Sequence, residues 1–223
     1  MVENRSFIDA LVREIIQPGV EELMNSRYFA ELRAGKLSAK RLQGFALQHY
    51  IHNIAICKGF ALCMVKNAHQ SDLYDHFAHQ FSEEKDHPAL AKKFGLAVGL
   101  KEEDFQNALP VFESLAHTGA VLRSMLLASP AENRAGALVN ETMVCRYAEE
   151  FDIALEKHYG LGEAAREFFI IHSKVDKEHT ALAAEVVARY ADSERSRFLV
   201  RESARSMVRF KIAKFEGIYK AYA

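Results

Sequence analysis

The chain has 223 residues, 49% of them apolar and 26% charged, with 29 basic side chains against 30 acidic ones. That balance supplies no basic field for a phosphate backbone, so nucleic acid is set aside as a partner. Only 11 glycines and 4 prolines are present, which disfavours a turn-rich β protein and favours long helices. No charged-apolar-small leader opens the sequence, and no apolar run reaches the roughly 18 residues of a membrane span, so a cytoplasmic location is expected. Cys57, Cys63 and Cys145 are odd in number and none stands in a C-x-x-C pair, which argues against a disulfide framework.

In chain order, Ser6 or Asp9 can cap a first helix running to about Met24, with a kink at Pro18-Gly19. Tyr28 to Gly35 reads as a short helix with a glycine stop. Ser38 caps a long helix to about Ala68, with Leu42, Phe45, His49, Ile56, Phe60 and Met64 at helical spacing. Ser71-Asp72 open a third long helix through Phe77, Glu84 and His87 to Val98, made irregular where Pro88 follows His87. Lys101 to Gln106 gives a turn or two. Pro110 opens a helix to about Ala128, and Ser129-Pro130 opens another that ends at Tyr159-Gly160. Glu163 to Tyr190 follows, and Ser193 caps a last helix to Tyr219. No strand pattern, repeat or linker interrupts the series. The expectation is an all-α, single-domain bundle of about seven helices over residues 1–223.

Three of these helices carry chemistry. His172, Asp176 and His179 are spaced by four and three, so they project from one helical stripe and can share a metal ion. Phe168, Phe169, Ile171, Val175 and Leu182 place apolar side chains around them, and a carboxylate buried in that setting needs compensation. Glu84 and His87 form a Glu-x-x-His pair of the kind that lines di-iron bundles, with Glu83 an alternative acid. Glu141 stands in the apolar run Ala137-Leu138-Val139-Asn140-Glu141-Thr142-Met143-Val144. Together these make three carboxylates and three imidazoles, enough for two metals with a bridging carboxylate. Carboxylate-rich sites with nitrogen donors and no thiolate suit iron or manganese rather than structural zinc. The plainer reading of each segment is a solvated acidic face, or a paired core carboxylate at Glu141.

Glu-x-x-His, a lone Glu on a later helix, then His-x3-Asp-x2-His, in that order, resembles the heme-oxygenase-like di-metal oxidases and oxygenases. These share a superfamily with the TenA-type thiaminases, the PqqC-type quinone cofactor oxidases and the CADD-type proteins. The resemblance covers most of the chain, and Gly35-Lys36-Leu37-Ser38 followed by Tyr50-Ile51-His52 matches the amino-terminal part. It implies a heme-oxygenase-like fold that binds no heme, with Glu84, His87, Glu141, His172, Asp176 and His179 as ligands to two iron ions, or an iron and a manganese. It also implies O₂ as co-substrate and a small-molecule substrate, and it leaves a homodimer open. Two departures stand out. Lys58 lies nearest the position of the extra ligand glutamate of the alkene-forming decarboxylases. Tyr28 or Phe29 occupies the place of the tyrosine that CADD-type p-aminobenzoate synthases sacrifice.

Lys58 either snorkels outward or holds a substrate carboxylate, and on the second reading the substrate bears a carboxylate. His49, His52, Tyr50 and Tyr147 read first as core groups with partners, and Cys145 as a small core residue. The functional expectation is a metal-dependent, O₂-activating oxidase or oxygenase of a small metabolite. The alternatives are a metal-free enzyme of the same fold, either a thiaminase-like hydrolase using Cys145 or a PqqC-type oxidase, and a non-enzymatic interaction protein.

Overall fold

The structure, a computed structural model, describes the backbone of residues 2–223 and the side chains of residues 5–174 and 180–223. Among these residues every regular element is helical. The first predicted helix is divided into α1 (Val2–Leu11) and α2 (Gln17–Met24) by one widened turn, Val12–Ile16. Pro18 sits in the first turn of α2, where its missing N–H leaves no bond unmade. In a continuous helix it would interrupt the ladder, and the wide turn upstream absorbs the change of register.

A short α3 (Arg27–Arg33) closes on Gly35, whose φ of 66° is left-handed. A Cβ there would also press on the His158 side chain, so both backbone and space call for glycine. Ser38 accepts the Arg41 N–H at 3.3 Å and starts α4 (Ala39–Lys66). The third long helix is two, α5 (Ser71–Glu84) and α6 (His87–Ala97). Pro88, in the first turn of α6, cannot donate to the carbonyl four residues back, which is that of Glu84. Then come α7 (Glu102–Gln106), α8 (Phe112–Leu127), α9 (Pro130–Tyr159), α10 (Glu163–Tyr190) and α11 (Glu194–Ala221). The described residues thus hold eleven α-helices where about seven were expected. The excess comes from the two interruptions and from the short α3 and α7.

Two compact units form, residues 1–37 with 128–213, and residues 38–127 with 214–223. In the first, α9 and α10 pack as a hairpin across Gly160, which takes φ 64°. The Ser129–Glu132 capping box starts α9. Arg166, almost fully buried, ties the hairpin: its Nε donates to the Leu161 carbonyl at 3.0 Å, and its guanidinium pairs with Asp152 and Glu156. The core is aromatic. Phe151 and Phe169 stack with centroids 4.5 Å apart, and Phe168 stands edge-on to Phe169. Tyr28 and Phe29 of α3 reach the Phe151 ring from α3's side.

In the second unit α4 is the spine, with α5, α6 and α8 against it. Gln48 of α4 gathers the connection before α8, donating to the Leu109 carbonyl and accepting the Val111 N–H, each at 3.0 Å. The C-terminal segment docks on α4 through Arg41, which donates to the Tyr219 carbonyl at 3.0 Å and lies over the Tyr219 ring. Among the described residues no helix is long and apolar enough to cross a membrane.

Candidate metal centre

Glu84 and His87 come together in the second unit. The chain breaks at Lys85–Asp86, so Glu84 ends α5 and His87 opens α6, and the carboxylate pairs with the imidazole Nδ1. A carboxylate accepts, so Nδ1 carries a proton, and in the neutral imidazole Nε2 is the lone-pair nitrogen. Glu83 instead turns to His79, 3.4 Å away, and is more exposed than Glu84. That separates the two adjacent acids. Behind Glu84, the Cys57 thiol donates to its backbone carbonyl at 3.2 Å. Burial pushes the Cys57 thiol above its usual range and the Glu84 charge adds to the shift, in keeping with the neutral thiol as the donor of this bond.

Glu141 and His172 lie in the first unit, on α9 and α10. His172 is buried, its ring 4.1 Å from that of Phe168 and its Nδ1 2.6 Å from the Phe168 carbonyl oxygen. A carbonyl only accepts, so this bond puts the proton on Nδ1 and makes Nε2 the lone-pair nitrogen. Metal-binding histidines are prepared in this way, by a carbonyl or carboxylate that takes the other ring N–H. Glu141 is half-buried, one turn before Cys145, whose Sγ faces the Ser173 carbonyl at 3.6 Å. The side chains of Asp176 and His179 lie outside the described residues. Among the described residues no group of three or more His, Cys, Asp or Glu side chains is arranged around a common point. The donors that are described fit iron in kind: two imidazoles with prepared Nε2 atoms and two carboxylates of low exposure.

Lys58 is exposed. It stands about 240° around α4 from His52 at 3.6 residues per turn, while His49, His52, Asn53 and Phe60 are buried. Its ammonium is therefore hydrated, and the expectation of a substrate carboxylate held by Lys58 loses its support.

Two lysines of α11 outside the sequence-derived candidates, Lys211 and Lys214, are buried. Lys214 donates to His49 Nδ1 at 3.3 Å, which places the His49 proton on Nε2. Lys211 lies 5.5 Å from the centre of the Tyr147 ring, within cation–π range. A signal existed. Ala204, Met207, Val208, Phe215 and Ile218 form an apolar stripe on α11, and Lys211 interrupts it in phase. His52 Nδ1 meets Thr118 Oγ1 at 2.8 Å, its ring 4.9 Å from that of His117.

The described residues are all helical, and they bring Glu84 and His87 together at a helix break and set a buried histidine on a later helix. A family profile described as iron-containing redox enzyme matches residues 43–211, and the chain belongs to that family. Among solved structures it is similar to a domain of unknown function with a heme oxygenase-like fold from Shewanella denitrificans OS217. The TM-score is 0.83 at 17% identity, over 93% of this chain and 90% of that one. A TenA homolog from Pseudomonas syringae pv. tomato DC3000 aligns with TM-score 0.77 at 14% identity, over 96% and 93% of the two chains. A TenA homologue from P. horikoshii OT3 aligns with TM-score 0.75 at 14% identity, over 96% and 98%. At these identities the likeness is one of fold. No curated protein matches the sequence.

Proposed function

We propose that this protein is a non-heme oxidase or oxygenase that uses two iron ions, or an iron and a manganese, to activate O₂ against a small metabolite. Glu84, His87, Glu141, His172, Asp176 and His179 are the proposed ligands. The observation that carries the reading is the tautomer of His172, whose Nδ1–H is committed to the Phe168 carbonyl. A buried imidazole with a prepared Nε2, four residues before Asp176 and seven before His179, is a metal ligand's arrangement. Membership of the iron-containing redox enzyme family supports the choice of metal.

When bound, the metals would supply the electrons and the coordination positions that O₂ chemistry needs. The protein's own residues hold the donors in place. The Phe168 carbonyl and the Phe168 ring fix the His172 imidazole from two sides. The Cys57 thiol, kept protonated, holds the Glu84 backbone where α5 ends.

Anaerobic loading with Fe(II), elemental analysis, then O₂ exposure followed by optical spectroscopy tests the proposal. The expected result is about two metal ions per chain, with loading reduced in His172→Ala and Asp176→Ala while both variants stay folded. Parent protein that retains no iron above a denatured control, or an Asp176→Ala variant that loads as the parent does, overturns it.

A second reading rests on Cys145, which lines a cavity of ≈ 340 Å³ with Thr142, Arg146 and Thr180. In that reading the protein is a metal-free hydrolase with a thiol nucleophile, in keeping with its likeness to TenA homologues. Activity that survives metal removal and is abolished in Cys145→Ser selects it.

A further inference from the structure

One stripe of α4 carries a buried donor with no acceptor among the described residues. Asn53 lies four residues after His49 and four before Cys57, so the three share a face. Its side chain is 7% exposed, and its amide nitrogen makes no hydrogen bond among the described residues. Buried amide donors are nearly always paired, so an orphan marks a place where something else supplies the acceptor.

Three contacts fix the level of Asn53 against the helices beside it. Gln43 donates to the Val98 carbonyl at 2.8 Å, a Cβ on Gly95 would lie 3.0 Å from that of Ala46, and the Cys57 thiol donates to the Glu84 carbonyl. Each step forward along α4 is matched by an equal step back along α6 and α5, through the break at Lys85–Asp86. Asn53 therefore stands level with His87 and Pro88. The face of α4 also opens at this level. Ile56 lies seven residues after His49 and four before Phe60, in phase with both. Those two are buried, yet Ile56 and Cys57 are only half-buried. The turn beside Glu84 and His87 thus leaves room that the turns on either side do not.

The chemistry of this stripe selects its ligand. His49 Nδ1 accepts from Lys214 Nζ at 3.3 Å, so the imidazole carries its proton on Nε2 and is a donor there. Lys214 is 1% exposed and brings a positive charge to the same end of the stripe. Two donors backed by a cation favour an anion. A single cation matches the single charge of a carboxylate better than the near-double charge of a phosphate monoester. Resting on the reading of Glu84 and His87 as metal ligands, we propose that Asn53 and His49, backed by Lys214, hold the carboxylate of a small substrate beside the metal centre. Lys214 takes the part expected of Lys58.

Calorimetric titration of the full chain with hexanoate and benzoate, and with hexanamide and benzamide as neutral matches, tests this on metal-free and on anaerobic Fe(II)-loaded protein. The parent should bind at least one carboxylate in both forms, and its amide about tenfold more weakly. Asn53→Leu and Lys214→Met should each weaken the carboxylate about tenfold, with the helical circular dichroism kept and the iron content of Asn53→Leu unchanged. In the parent alone, the side-chain amide resonance of Asn53 should shift on adding the carboxylate, a readout that no variant's folding affects. A parent that binds neither carboxylate, one that binds acid and amide or inorganic phosphate equally well, or an Asn53→Leu protein that binds as the parent does overturns the proposal. The two readings fail separately: iron loading without carboxylate binding overturns this subsite alone, and carboxylate binding at Asn53 without iron loading keeps the subsite and overturns the metal reading.

Discussion

Phe168 joins the core of the first unit to the proposed ligand His172, so Phe168→Ala is a demanding test of the packing. The side chain is 2% exposed. A phenylalanine ring buries on the order of 200 Å², which at about 25 cal/mol per Å² is close to 4–5 kcal/mol before the retained Cβ is discounted. The edge-on contact with Phe169 and the face against His172 are lost together. Alanine leaves a cavity rather than a collapsed core, because Phe151 and Phe169 are already stacked on each other. The expected loss is therefore about 3–5 kcal/mol, or roughly 6–20 °C in Tm for a chain of this length. Urea titration followed by far-UV circular dichroism reads it. Phe198→Ala is the control: this ring is 52% exposed, and its loss should change stability by less than about 0.5 kcal/mol. A Phe168→Ala protein within 1 kcal/mol of the parent would refute the account of this core.

Three further outcomes follow from single contacts. Tyr159 donates its hydroxyl to the Leu37 carbonyl at 3.0 Å, so Tyr159→Phe should cost about 0.5–1.5 kcal/mol near neutral pH. Burial holds the Tyr159 phenol above its ordinary range; its stabilising contribution is complete below about pH 10 and is lost as pH rises through the higher folded value. The gap between parent and variant, read by denaturation at pH 8 and pH 11, should narrow at the higher pH. Ser129→Ala removes the capping box of α9 and should lower stability by about 1 kcal/mol in the same titration. Cys57, raised by burial, should react with iodoacetamide at pH 8 more slowly than a free thiol, as followed by peptide mass spectrometry; equal rates would contradict the neutral-donor role.

Helix ends were legible where a specific residue sets them. Ser38, Ser129 and Gly160 each stop or start a helix by a bond or a backbone angle that only a few residue types supply. The extent of α10 follows from Gly162 and the two residues after Tyr190. Pro18 predicts a kink, yet the chain answers with a widened turn at Val12–Ile16 just before it, since a helix can share a register change over its preceding turn. Burial of charge was the hardest thing to read. Lys58 and Lys214 both sit among apolar neighbours in the sequence, and only the phase of each helix against its packing face separates a hydrated ammonium from one 1% exposed. The pairing of Glu84 with His87 was legible from spacing. The distinction between Glu83 and Glu84 was not, because it depends on where α5 ends.

That ending has a consequence for descent. Residues on one continuous helix cannot change spacing without rotating everything beyond them by about 100° per residue. Glu84 and His87 belong to different helices joined by Lys85–Asp86. A residue gained or lost in that joint moves one donor relative to the other and leaves the packing of α5 and α6 intact. The interval between this acid and this histidine thus rests on a two-residue joint, whereas the intervals from His172 to Asp176 and His179 are set by an unbroken helix.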